Sequence, residues 1–516
     1  MSERGRLPAD CNSVIAIMTL LVVLVTGSCG GGRTGPAGAV GAVADFPGLA
    51  AIREADLRDD IFTLAGDGFR GREAATLDEL RASMWLAERA RAAGLEPAGE
   101  SGTYFQFWSL TRSRLDRTSR IAADGSPLSI GEDIVLISPA EEFRHQGPVV
   151  FVGEGRAADL AGKELAGRVV AAVVTPSARS ADGSNSLRHV RYAFSAVTTT
   201  AATLRQHRPA AILLIADPIA DSGFDWIAGY LTRGQFGIDS AGGPAAASAQ
   251  TVPLFFARAA LRDRMARTTR MEVALARERT SYPSVNVVAK VRGTDPARRD
   301  EFVLFSAHQD HDGVRAPVAG DSIYNGADDN ATVSVALLAI GRAFAAQPAP
   351  RSALFVWHGA EERGLLGSRW HASHPMVPLA RVVAVLNGDM IGSNHPDTAA
   401  LLGSQPPHRN STALVELGLR ANALASGFVI DSSWDRPDHP EGWYFRSDHL
   451  PYARAGVPSL YFSTLPHARY HTPDDEPEFI DLRKLTRMTK WMYATGWLVA
   501  TAAARPPLDP AVTLER

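Results

Sequence analysis

The sequence predicts an α/β fold: a mixed, largely parallel sheet flanked by helices, with a second, mainly β unit inserted before its last part. Three observations predict it. First, short continuous apolar runs recur at Glu301–Ala307, Ser352–Trp357, Arg381–Leu386 and Pro458–Phe462. Such runs, rich in β-branched and aromatic residues, read as strands buried on both faces of a parallel sheet. Second, helical spacing appears between them and before them. Leu77 to Ala93 places Leu80, Met84, Leu86, Ala87 and Ala90 near one face, and Gly94 stops it. A further helix is expected from Ala331 to Phe344. Third, residues 140–275 change character: strand-like runs at Pro148–Gly153, Gly167–Val174, Ala210–Ile215 and Val252–Phe256 follow one another, with a helix over Val197–Gln206 and a Gly/Ala/Ser loop over Ala241–Gln250.

Four of these runs lead into residues that bind metals. The segments are Ala307-His308-Gln309-Asp310, Ala360-Glu361-Glu362, Asn387-Gly388-Asp389-Met390 and, after a loop, Tyr470-His471-Thr472-Pro473. A fifth is Asn325-Gly326-Ala327-Asp328-Asp329-Asn330. In open α/β sheets the site lies beyond the carboxyl ends of the strands, so the fold that builds the sheet also gathers these groups. Two imidazoles and three carboxylates, with one carboxylate left over beside a ligand, match two zinc ions sharing a carboxylate and a water.

These segments resemble the co-catalytic di-zinc exopeptidases, a family that includes secreted bacterial aminopeptidases, glutamate carboxypeptidase and the inactive transferrin receptor ectodomain. The most specific stretches are Tyr324–Ala331, Glu361–Ser368 and Tyr470–Pro473; Phe69–Arg72, Gly94–Pro97, Ser447–His449 and Ala455–Pro458 also fit. The resemblance implies a zinc exopeptidase fold with a protease-associated domain as the insert. It implies two Zn2+ ions held by His308, Asp328, Glu362, Asp389 and His471, with Asp328 bridging. It makes Glu361 the general base, Asp310 the group that orients His308, and Tyr470 the donor to the attacked carbonyl. It also implies a cis bond between Asp328 and Asp329. Three positions depart from the family pattern: Gln309 replaces an aromatic or aliphatic residue, Gly388 an aliphatic one, and Thr332-Val333 a Ser-Gly.

Composition is that of an ordinary globular protein of more than one domain: 516 residues, 45% hydrophobic and 21% charged, with a net charge of -3. Scattered arginines and scarce lysines give no nucleic-acid footprint. Arg4 and Arg6 precede an apolar run, Val14–Val25, and then Thr26-Gly27-Ser28-Cys29. This order predicts a lipoprotein-type signal over residues 1–28, with a lipid on Cys29 anchoring the protein to a bacterial envelope membrane; the alternative is a simple signal peptide cut nearby. Residues 29–45 read as a Gly/Ala-rich tether. The catalytic domain is then expected in two parts, 46–139 and the metal-binding part 276–505, around the insert at 140–275, with an irregular tail at 506–516. With Cys11 removed and Cys29 carrying the lipid, the mature chain has no other cysteine and is expected to use no disulfide.

The expected activity is an exported exopeptidase acting on peptides, foremost an aminopeptidase. A carboxypeptidase or a hydrolase of non-peptide amides is the alternative, for which Arg436 and Arg446 are candidate cations. An inactive binding protein needs lost ligands, and every position is filled. His371 and His374 are expected at the surface, and His358 either tunes the base Glu361 or is a structural histidine. Trp434, Trp443 and Tyr444 either line the pocket or pack beneath a loop. Side-chain specificity and oligomeric state stay open.

Overall fold

The computed structural model describes residues 46–137, 142–176, 187–238, 252–510 and 512–515. The signal, Cys29, the tether and the loop at 241–250 lie outside them. No helix among the described residues is long and apolar enough to cross a membrane.

Four parallel strands form the centre of the main sheet: β1 (Phe302–His308), β2 (Ser352–His358), β3 (Val382–Gly388) and β4 (Ser459–Ser463), in the spatial order β4-β3-β1-β2. They are the four apolar runs, and their residues are almost wholly buried. The flanks are antiparallel. Arg277–Val291 pairs with β2 and with the long strand Phe105–Leu115, and Thr398–Leu402 pairs with β4. Alternate side chains face two layers. Val303, Phe305, Phe355 and Trp357 pack against the helices Leu77–Ala92, Thr332–Ala346 and Leu482–Thr501, while Leu304, Leu354, Val356 and Val385 face Tyr452 and Val457. Thr76 caps the first of these helices by accepting from the backbone N–H of Asp78 and Glu79, and Gly94 stops it at φ +83°.

Residues 120–275 build the second sheet, with eight strands. It begins at Arg120, twenty residues before the boundary read from the sequence, because its first strands are two to four residues long and carry little pattern. It is not mainly β. Phe143–Phe151, Val169–Val173, Ala211–Ile215 and Leu254–Ala257 run parallel, and the helix Arg188–Arg205 crosses between the middle two. That helix is nine residues longer at its start than its apolar spacing suggested. Phe105–Leu115 and Arg277–Val291 carry this unit as a continuous two-stranded arm.

Two departures noted in the sequence turn out to be one. A Cβ placed on Gly388 would lie 2.6 Å from Val333 Cγ1 and 3.1 Å from Cγ2. Val333 therefore fills the space that a side chain at 388 would need, and glycine at 388 makes room for valine at 333. Gly388→Ala alone is expected to destabilise by about 1–3 kcal/mol through overpacking. Adding Val333→Ala should recover part of that loss, a coupling of at least about 0.5 kcal/mol in a denaturant double-mutant cycle. Additive effects would refute the pairing.

The tail closes on the turn around His408. Its Nδ1 lies 2.8 Å from Asp435 Oδ1, its Nε2 2.8 Å from Glu515 Oε1, and its ring stacks on Tyr444 at 4.3 Å. Burial would lower the imidazole pKa, but Asp435 and Glu515 outweigh it and raise it. A pKa raised in the folded state stabilises fully below the unfolded value of about 6.5 and loses that contribution as pH rises through the folded value. The melting temperature of Glu515→Gln should therefore fall below wild type at pH 6 and converge on it by pH 9. A constant gap would show that the imidazolium contributes nothing.

Candidate active site

The parallel strands deliver their ends to one cleft. His308 is the last residue of β1, Asp389 follows β3, Glu361 and Glu362 follow β2 by a short turn, and His471 comes after β4. Ala360, Met390 and His471 hold positive φ, at 55°, 53° and 54°. Non-glycine residues at such angles persist only where their surroundings impose them, commonly at functional sites.

Two clusters share one carboxylate. His308 Nε2 lies 3.2 Å from Asp329 Oδ1 and 3.5 Å from Asp389 Oδ1. His471 Nε2 lies 3.2 Å from Asp329 Oδ2 and 3.4 Å from Glu362 Oε2. Asp329 thus offers one oxygen to each imidazole. Glu361 stands by, 3.9 Å from His308 Nε2. Combinations of these groups, and Asp312 with Glu362 and His471, converge closely enough to hold a metal ion.

Asp328 does not stand between the imidazoles; its neighbour Asp329 does. Asp328 turns away. Its Oδ1 accepts the backbone N–H of Gly392 at 2.7 Å, and its Oδ2 lies 3.3 Å from His467 Nε2. The cis bond is displaced by the same step, to Asp329–Asn330. Asp475 fixes this register by accepting the backbone N–H groups of both Asp328 (3.0 Å) and Asp329 (3.1 Å). Gly326, at φ +57°, makes the turn possible: a Cβ there would meet Asp329 O at 2.3 Å.

Asp310 also acts differently from the sequence expectation. Its carboxylate accepts the backbone N–H of Glu361 at 3.0 Å and of Glu362 at 3.3 Å, so it holds the turn that carries both glutamates. His308 Nδ1 meets the carbonyl of Asp310 at 3.1 Å, with the carboxylate 4.0 Å away. A carboxylate does orient the second imidazole: Asp312 Oδ2 lies 2.8 Å from His471 Nδ1. His311 Nδ1 lies 2.8 Å from Glu362 Oε1. Asp312 and His311 were missed, although both directly follow Asp310. Arg72 was read only as part of a fitting stretch. It is wholly buried and donates to the carbonyls of Leu64, Gln309, Asn325 and Gly326 at 2.7–2.9 Å, joining two of the ligand loops.

Charge states follow from these neighbours. Burial would raise Asp329, but hydrogen bonds from His308 and His471 hold it well below the ordinary carboxylate range. Burial would likewise raise Glu362, but His471 overcomes it, bringing the carboxyl to about 2. Burial, with Glu362 and Asp448 nearby, pushes Glu361 well above the usual range despite His308. Burial raises Asp310 to about 6 and keeps the Tyr470 phenol protonated.

Asp329, Glu361, Glu362, Asp389, Tyr470 and His471 line a cleft of about 450 Å³. Trp443 and Arg446 line it too, whereas Tyr444 stacks on His408 and Trp434 packs against His439. Arg436 pairs with Asp438 at the surface. His371 is buried rather than exposed, with Nδ1 2.7 Å from Tyr452 Oη, and His374 stacks on Trp370. His358 is fully buried on the same tyrosine.

Residues 286–496, which hold every group of the two clusters, match Peptidase family M28. A probable leucine aminopeptidase of Trichophyton verrucosum is 28% identical over 222 residues, 41% of this chain. Aminopeptidase YwaD of Bacillus subtilis is 26% identical over 220 residues, covering 40% of this chain and 42% of its own. The chain spans 58% of the length of the first of these relatives. An aminopeptidase from Aneurinibacillus sp. strain AM-1 shares the fold over 91% of this chain and 97% of its own, with a TM-score of 0.55 at 17% identity. A zinc aminopeptidase from Bacillus subtilis does so over 90% and 99%, with 0.55 at 16%. The resemblance to zinc exopeptidases read from the sequence agrees with the family match over residues 286–496, and the fold around that region follows that of these enzymes.

The two aspartates separate cleanly by experiment. Asp329→Asn should lower bound metal by at least about one equivalent after dialysis, measured by elemental analysis, because the shared carboxylate is lost. Asp328→Asn should keep its metal and lose mainly stability. The reverse pattern would return the bridging role to Asp328.

Proposed function

We propose that the protein is a zinc-dependent aminopeptidase that removes residues from the amino end of peptides, working outside the cytoplasm. The observation that carries this reading is Asp329, aimed at both imidazoles, with Asp389 completing one set and Glu362 the other. The donor set fits metal. His308 Nε2 is buried and faces three carboxylates, Asp329, Asp389 and Glu361, at 3.2–3.9 Å. A mixture of imidazole and carboxylate suits zinc, while calcium wants more oxygens. His308, Asp329 and Asp389 would hold one ion, and His471, Asp329 and Glu362 the other. Two zinc ions supply Lewis acidity, lowering the pKa of a water and polarising a carbonyl.

The protein's own groups do the rest. Glu361, the carboxylate left over, takes a proton from the attacking water and returns it to the leaving amine. Asp310 holds Glu361 and Glu362 by their backbone, so base and ligand move as one. The Tyr470 hydroxyl, kept protonated by burial, donates to the oxygen of the attacked carbonyl. Asp312 fixes the tautomer of His471. Water is added across the peptide bond, leaving a free amino acid and a shortened peptide. The names of the relatives support an aminopeptidase. The basic, apolar and small-residue order before Cys29 supports export with a lipid anchor. We read the unit at 120–275 as a protease-associated-like wall of the cleft.

The metal-loaded protein should release p-nitroaniline from leucine p-nitroanilide, lose that activity in chelator, regain it with zinc, and spare the N-acetylated substrate. Equal cleavage of the blocked substrate would favour the amidase alternative. Glu361→Gln should keep its metal while kcat falls at least about a hundredfold. Metal lost together with activity would make Glu361 a ligand.

A further inference from the structure

One wall of the cleft carries more positive than negative charge. Arg191, on the helix Arg188–Arg205 of the inserted unit, reaches Glu441, with Nη1 2.5 Å from Oε2. Arg446 Nη1 lies 3.5 Å from the same oxygen, and its guanidinium stands over Trp443 at 4.9 Å. One carboxylate thus serves two guanidinium groups. Arg191 Nη2 is buried without a hydrogen-bond partner among the described residues. All three charged side chains line the cleft beside Phe194 and Trp226. A cation enclosed by apolar groups is costly unless an anion meets it. The acids on the cleft floor do not serve, since Asp329, Glu362 and Asp389 face the imidazoles and Glu361 stands with them.

We propose that Arg191 and Arg446 bind the C-terminal carboxylate of a short peptide, making free dipeptides the preferred substrates. This rests on the aminopeptidase reading. Guanidinium groups bind carboxylates through paired, charge-assisted hydrogen bonds. In a dipeptide one residue follows the scissile bond. An extended residue spans at most about 3.6 Å, so the carboxylate falls close to the attacked carbonyl, within the cleft. Arg191 comes from the inserted unit, so that unit would set peptide length while the catalytic domain performs hydrolysis.

The test compares leucyl-leucine with leucyl-leucinamide on the metal-loaded full chain. Wild type should favour the free acid in kcat/KM by about tenfold or more, mainly through KM. The uncleavable reduced-bond analogue of leucyl-leucine should bind more tightly than its amide by a similar factor in calorimetry. Arg191→Met should bring both ratios toward one, and Arg191→Lys, which keeps the charge, should retain part of them. A wild-type ratio near one overturns the proposal, as does a ratio unmoved in a folded Arg191→Met. Should that variant fail to fold, Arg191→Lys and the wild-type ratios decide. Equal cleavage of both peptides refutes this inference alone; cleavage of neither also brings down the aminopeptidase reading.

Discussion

Negative charge concentrated at the ends of four parallel strands is the constraint that the rest of the molecule answers. Asp310, Asp312, Asp329 and Asp389 are buried, and the side chains of Glu361 and Glu362 are only 10% and 8% exposed. Two like charges 4 Å apart repel by about 4 kcal/mol at an effective dielectric of 20. Left alone, such a group would protonate or push the loops apart. The protein answers with imidazoles at His308, His311 and His471, with guanidinium groups at Arg315 and Arg363 against Asp312, and with backbone N–H groups on Asp310 and Asp475. Under the proposed function divalent metal would complete that list, and the ions would then also hold these loops together.

Arg72 shows how far that requirement extends. It lies in the N-terminal segment, some 240 residues from the first ligand, yet its donors end on carbonyls at 309, 325 and 326. It binds backbone oxygen rather than a carboxylate, which fixes loop positions without neutralising a ligand. Burial lowers its pKa to about 10, with Asp310, Asp475 and Asp329 opposing, so it stays charged at neutral pH. The residues from Phe46 to Ala92 are accordingly part of the site, although they contribute no ligand to it.

The strands and the convergence of their ends were legible because both follow from local pattern. Each central strand is an unbroken apolar run, and each leads, directly or after a turn or loop, to a residue able to bind metal. The choice between Asp328 and Asp329 was not legible. Both are short acids in one turn, and the decision rests on Asp475, His467 and the N–H of Gly392, all distant in sequence. Asp312 was invisible for a similar reason: only the fold brings His471 to it. The start of the second sheet at Arg120 was missed because strands of two to four residues carry no periodicity. Gly388 and Val333 were visible singly as departures, but their compensation is a contact between a strand end and a helix start.

The insert explains itself through its attachment. Phe105–Leu115 and Arg277–Val291 remain in register from Phe105 opposite Val287 to Leu115 opposite Arg277, so the arm leaves the main sheet as a paired ribbon rather than as two free linkers. The strand Gln235–Ile238, from within the insert, returns to pair with that arm. Arg233, just before it, donates to the carbonyls of Asp312 and Val314 and pairs with Glu73. These ties bring the helix Phe224–Thr232 over the metal-ligand cluster, with Trp226 6.3 Å from the ring of His471. A linker-hung domain would leave the cleft open to peptides of any length. One stitched back into the sheet beside the ligand that Asp312 orients gives the cleft a fixed wall, and the side chains on that wall can then discriminate among substrates.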